Sequence, residues 1–129
     1  MGQSNFERLE VYRLAEQLAD TVWRAVAGWD SFARDTVGRQ LVRSADAIGA
    51  NIAEGSGRGS FPDHRRFVRT ARGSLHETQH WLRRAYSRGL LTEEHVKTLK
   101  PLVNELAPRL NAYLRSIGRQ PLQGDQPTP

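Results

Sequence analysis

Apolar residues recur three and four positions apart along nearly the whole chain, and no stretch alternates polar and apolar with period two. Such spacing puts the apolar residues on one side of an α-helix, so the pattern predicts four amphipathic helices and no strands. The first spans residues 5–28. Its stripe is Val11, Ala15, Leu18, Val22 and Val26, widened by Tyr12, Ala19 and Trp23. Ser4 and Glu7 have the spacing of a capping box, and Gly28 is a natural stop. Trp29 and Phe32, in the loop that follows, are expected to fold back onto the core. The second helix spans 36–54, with Val37, Leu41, Ala45, Ile48 and Ile52 inward. Its outer face carries Ala47 and Ala50 beside Arg39, Arg43 and Glu54, and side chains this small suit a close subunit contact.

The third helix spans 61–88, begun by Ser60, Pro62 and Asp63 and ended by Gly89. Phe67, Ala71, Leu75, Thr78, Leu82 and Ala85 form its stripe, flanked by Val68 and Tyr86. Gly73 sits mid-helix, where glycine costs stability; either a neighbour packs closely there or nothing compels it. The fourth helix spans 92–117, capped by Thr92 with Glu93 and Glu94 at the positive end of the dipole. Val96, Leu99, Val103, Leu106, Leu110, Tyr113 and Ile117 form an unbroken heptad seam, broadened by Leu102 and Leu114. Pro101 and Pro108 fall opposite that seam. The carbonyls they free then face water, and one bent helix is expected rather than three pieces. Gly118 ends it. Short turns between four such helices predict an all-α, antiparallel up-down-up-down bundle over residues 1–118. The polar, proline-rich residues 119–129 are expected to be a disordered tail.

A chain of 129 residues accommodates a single core. It has no cysteine, which rules out disulfides and thiolate metal sites and fits a cytoplasmic location. No apolar run reaches membrane-spanning length, so no membrane partner is expected. The net charge is +5, carried by 17 arginines and only 2 lysines. Arginine binds carboxylates and phosphates bidentately, which suits ion pairs and nucleic acid alike.

Two motifs raise the possibility of an enzyme. The stretch "GSGRGS" (55–60) is glycine-rich, but a helix precedes it and no Gly-Lys-Ser/Thr follows, so it lacks the parts of a phosphate-binding loop. Gly55 is expected instead to take a left-handed position that ends the second helix. "HETQH" (76–80) matches the H-E-x-x-H zinc helix. His76 and His80 share a face, but they lie off the core stripe and no third ligand is placed by spacing. No catalytic residue, metal or cofactor is assigned.

Folding the third helix back over the second pairs Arg43 with Glu77, Asp46 with Arg72, and Glu54 with Arg65 or Arg66. With Asn51, these residues are read as a polar network that sets register or subunit contacts. Eight arginines lie between Arg58 and Arg88, against two acids. Arg65, Arg69, Arg72, His76 and Arg83 share one side of the third helix, along about 27 Å at 1.5 Å per residue. With Arg58 they are the candidate nucleic-acid-binding residues, acting on phosphates because no aromatic interleaves on that face.

The blocks "QLVRSA" (40–45), "NIAEG" (51–55), Arg58, Ser60, Phe67 and "ARGSLHE" (71–77), with the opening "FERLEVYRLA" (6–15), carry a family resemblance. Over residues 6 to about 117 the chain resembles the bacterial four-helix-bundle proteins also called intervening-sequence proteins, first found encoded in insertions within large-subunit ribosomal RNA genes. Where the family usually has proline, this chain has Gly49, which implies a softer kink in the second helix. The resemblance implies a homopentamer. It also implies a distant likeness to the accessory variability determinant of diversity-generating retroelements, a basic pentamer that binds nucleic acid and a reverse transcriptase. The expectation is a non-enzymatic oligomeric bundle that binds RNA or DNA, as a possible accessory to a nucleic-acid enzyme such as a reverse transcriptase. The alternative is an assembly or adaptor module without a nucleic-acid role.

Overall fold

The structure is a computed structural model that describes residue 6 and residues 9–119. The proposed Ser4–Glu7 cap and the tail beyond residue 119 lie outside them. Among the described residues there are no strands. The four long helices are α1 (Glu10–Ala27), α2 (Arg39–Ser56), α3 (Phe61–Ser87) and α4 (Glu93–Ser116). α1 packs on α2 and α4, and α3 packs on α2 and α4, which closes a four-cornered bundle. The anticipated stripes meet at its centre, where Leu18, Leu41, Ile48, Ile52, Leu75, Leu106 and Leu110 are fully buried.

The helix ends follow local chemistry. Ser60 Oγ accepts from the Asp63 amide at the start of α3. Thr92 Oγ1 accepts from the His95 amide, and His95 Nδ1 accepts in turn from the Thr92 amide. Gly89 and Gly118 take positive φ just past α3 and α4. α4 runs unbroken through Pro101 and Pro108, both of them exposed.

α1 begins at Glu10, with Leu9 as an extended N-cap, and Trp23 is exposed rather than part of the core stripe. Three further expectations fail. The loop at 28–35 is mostly helical. Asp30 caps a short turn, Ser31–Ala33, by accepting from the Ala33 amide at 3.0 Å. The turn widens into a π-helical stretch, Arg34–Gly38, that feeds directly into α2. The stretch brings Val26 and Trp29 against Gly38, where an added Cβ would meet Val26 Cγ1 at 2.7 Å. Trp29 is thereby buried as expected, but Phe32 points outward and is 79% exposed. Gly55 is also not a left-handed stop. α2 continues two residues past the expected end, and Gly55 is helical and buried. Its role is close packing: an added Cβ would lie 3.0 Å from His64 Cδ2 and from Phe67 Cβ, and 3.2 Å from the His64 carbonyl. Gly73, by contrast, has open space where a Cβ would go.

Candidate nucleic-acid interface

The turn between α2 and α3 concentrates the first cationic cluster. Arg58 reaches Glu54 at 2.8 Å and Asp63 at 3.8 Å, and Arg66 reaches Asp63 at 2.7 Å. Both guanidinium groups lie over the Phe67 ring, at 4.4 and 4.5 Å from its centroid. Asp63 thus ties the two arginines to one aromatic platform. Arg58, read from sequence as a phosphate ligand, already has two carboxylates beside it.

Along α3 the pattern changes. Arg65 donates to the Ile117 carbonyl at 3.1 Å, and Arg72 donates to Asn111 Oδ1 at 3.4 Å. Both are half-buried on the side facing α4 and have no carboxylate partner; Arg65 meets the partly negative C-terminal end of α4. Arg69, His76 and Arg83 are exposed. Among the described residues, Arg65, Arg69, Arg72, Arg83, Arg84 and Arg88 form no ion pair, so six of the eight arginines from Arg58 to Arg88 lack an acidic partner. The stripe read from spacing runs from Arg65 to His76, with Arg83 two turns further on, and it follows the α4-side edge of α3.

The polar network behaves differently. Within this chain none of the pairs Arg43–Glu77, Asp46–Arg72, Glu54–Arg65 or Glu54–Arg66 forms. Glu54 pairs with Arg58, Glu77 accepts from Trp81 Nε1 at 3.1 Å, and Asn51 donates to the Ala47 carbonyl at 2.8 Å. Arg43 is exposed and lines a cleft with Trp23, Arg34 and Val42. Asp46 turns toward α1 and shares a surface recess with Glu16 and Asp20. Burial, and next the Asp20 carboxylate, raise its pKa above the ordinary carboxylate value. The physical reason is the closeness of α2 and α3. Small residues meet across their seam: Thr78 Oγ1 lies 3.0 Å from Ser44 Oγ and both residues are buried, while the charged side chains splay to the rims.

At the other end of the seam His64 Nε2 lies 3.0 Å from the Tyr113 hydroxyl. Burial lowers the His64 pKa and raises that of Tyr113, since each charged form loses hydration. In the H-E-x-x-H segment, Glu77 is held by Trp81, and the His80 ring meets Trp81 edge-on at 4.7 Å. Among the described residues no group of three or more His, Cys, Asp or Glu stands together as a metal site. No helix among them is long and apolar enough to cross a membrane.

Sequence reasoning assigned Tyr86 to the flank of the core, yet it is 65% exposed. It stands at the mouth of a groove of about 520 Å³ between α3 and α4, beside Arg83, Lys100 and Asn104. At 100° per residue Tyr86 falls between the core stripe and the arginine stripe, an ambiguity that only the position of α4 decides.

A family model described as 23S rRNA-intervening sequence protein matches residues 7–112. The chain belongs to that family. Among solved structures it is similar to a crystal structure from Bacteroides thetaiotaomicron VPI-5482, titled as a protein of unknown function from the S23 ribosomal protein family. The match has a TM-score of 0.72 and 21% identity, and covers 82% of this chain and 99% of that one. At that identity the likeness establishes a shared fold. No curated protein matches the chain.

Proposed function

We propose that this intervening-sequence protein is a non-enzymatic, cytoplasmic helical bundle that binds RNA or DNA through the phosphate backbone. The observation that supports this is the run of arginines without a carboxylate partner along α3, with Arg69, His76 and Arg83 exposed on it. From Arg65 to His76 the members of the stripe stand about 5–6 Å apart along the helix, with Arg83 about 10 Å further on, and contacts of such groups with phosphates are tolerant of sequence. The finer architecture belongs to the same proposal: an antiparallel up-down-up-down bundle, assembled into a homopentamer that repeats the stripe around a ring and serves a nucleic-acid enzyme such as a reverse transcriptase. The contacts of Arg65 with Ile117 and of Arg72 with Asn111 support the antiparallel placement of α3 and α4. Arg69 and Arg83 are better probes than Arg65, whose hydrogen bond holds the end of α4. In a binding titration with mixed-sequence RNA and DNA at low salt, Arg69→Ala with Arg83→Ala should weaken affinity about equally for every sequence. Failure of the wild type to bind either nucleic acid overturns the proposal.

A second reading rests on a separate surface. Trp23, 61% exposed, lines a cleft with Val42 and Arg43, and Phe32 is exposed nearby in the chain. An adaptor or assembly module would use such a face for protein contact. That reading predicts that Trp23→Ser lowers the mass measured by light scattering while nucleic-acid binding is absent; an unchanged mass contradicts it.

A further inference from the structure

The groove between α3 and α4 lies at the end of the arginine stripe. Its floor is apolar, built from Leu82, Leu91, Val96 and Leu99, and its lining contains no acidic side chain. Two cations, Arg83 and Lys100, stand on its rim, and the amides of Gln79 and Asn104 face it from opposite helices. Tyr86 offers an exposed ring at its mouth. An apolar slot with an aromatic ring, two amides and two cations has the chemistry of a nucleobase with its flanking phosphates. The ring face takes the base, an amide presents both a donor and an acceptor to the base edge, and the cations meet the backbone. A duplex cannot use the slot without extruding a base, which costs a few kcal/mol.

We infer that this groove takes an unpaired base, so that the nucleic acid bound along α3 is single-stranded. The inference rests on the phosphate-binding reading above and adds the strandedness of the ligand. An apolar peptide segment fits less well, because the two cations on the rim, with no acidic side chain beside them, suit the phosphates that flank a base.

The test uses the full chain, a mixed-sequence single-stranded oligonucleotide carrying one 2-aminopurine, its duplex, and the same strand with abasic positions. Wild type should favour the single strand over the duplex by about tenfold, with 2-aminopurine fluorescence changing on binding. Tyr86→Leu should lose about tenfold on the single strand and nothing on the duplex, and abasic substitution should reproduce that loss. Asn104→Ala, at an exposed position, is a second probe that leaves the core untouched. Equal, salt-dependent binding of strand and duplex, unmoved by Tyr86→Leu, overturns the base slot and leaves the phosphate reading standing. Absence of binding to both overturns the two together. A fall in oligomer mass on Tyr86→Leu without any fluorescence change assigns the groove to a second copy of the chain and overturns the inference.

Discussion

Gly55 and Gly73 occupy helix interiors for opposite reasons. At Gly55 the α3 backbone approaches closer than an ordinary Cβ contact allows, and the His64 carbonyl cannot swing away as a flexible side chain would. At Gly73 nothing stands within 4 Å. Gly55→Ala is expected to destabilise by about 1–3 kcal/mol through overpacking. Gly73→Ala is expected to stabilise by up to about 1 kcal/mol, the ordinary helix gain. Urea unfolding of the two variants measures both, and equal effects of the same sign would refute the assignment. His64 supplies a pH prediction. Its pKa is lowered in the fold, so the unfolded chain binds more protons as pH falls below about 6.5. The stability contributed by neutral His64 is full above that value and is lost as pH drops through the folded pKa. Unfolding followed from about pH 7.5 to about pH 5.5 should show falling stability, and His64→Gln should flatten that slope. Identical slopes for both proteins would contradict the burial argument. The residue scale also shows where sequence falls short. Spacing alone left both roles open for Gly73, because only the neighbour across the seam decides between them.

Elements were the most legible level. Period, caps and stops are local, and Ser60, Thr92, Gly89 and Gly118 act where their chemistry places them. α4 illustrates the reach of this logic. Prolines confined to the wet face interrupt hydrogen bonds that water can replace, so the seam continues past them. Replacing Pro108 with alanine should restore a backbone donor on an exposed face and raise stability by about 1–3 kcal/mol, read as a shift in the denaturant midpoint. A lower midpoint would mean that the proline shapes the helix to its neighbours. What remained hidden was tertiary in origin. The π-helical stretch before α2 exists where Val26 and Trp29 crowd Gly38, a constraint invisible to a periodicity. The anticipated ion pairs do not form within the chain, for a related reason. Folding one helix over another matches residue numbers, but the close seam around Ser44, Gly55 and Thr78 decides which side chains meet. Thr78→Val removes the buried hydroxyl contact while keeping shape, and should cost about 1 kcal/mol.

At the scale of the molecule, charge is distributed unevenly. Glu16, Asp20 and Asp46 gather on the α1–α2 side, while the unpaired arginines follow α3 toward α4. The stripe was legible from spacing because helical periodicity fixes it before any packing is known. The groove beside it was not, since its walls come from residues of α3 and α4 distant in sequence. Binding through this stripe should release counterions in proportion to the phosphates engaged. The most direct test is the affinity for a single-stranded oligonucleotide measured across salt concentration, on protein of known oligomeric mass. Three phosphates per chain, at about 0.7 each, give a slope of log affinity against log salt near −2 or steeper. Arg69→Ala with Arg83→Ala should make that slope shallower by about 1.4, from two contacts at about 0.7 each. A slope near zero, or no binding at low salt, would contradict phosphate-led recognition.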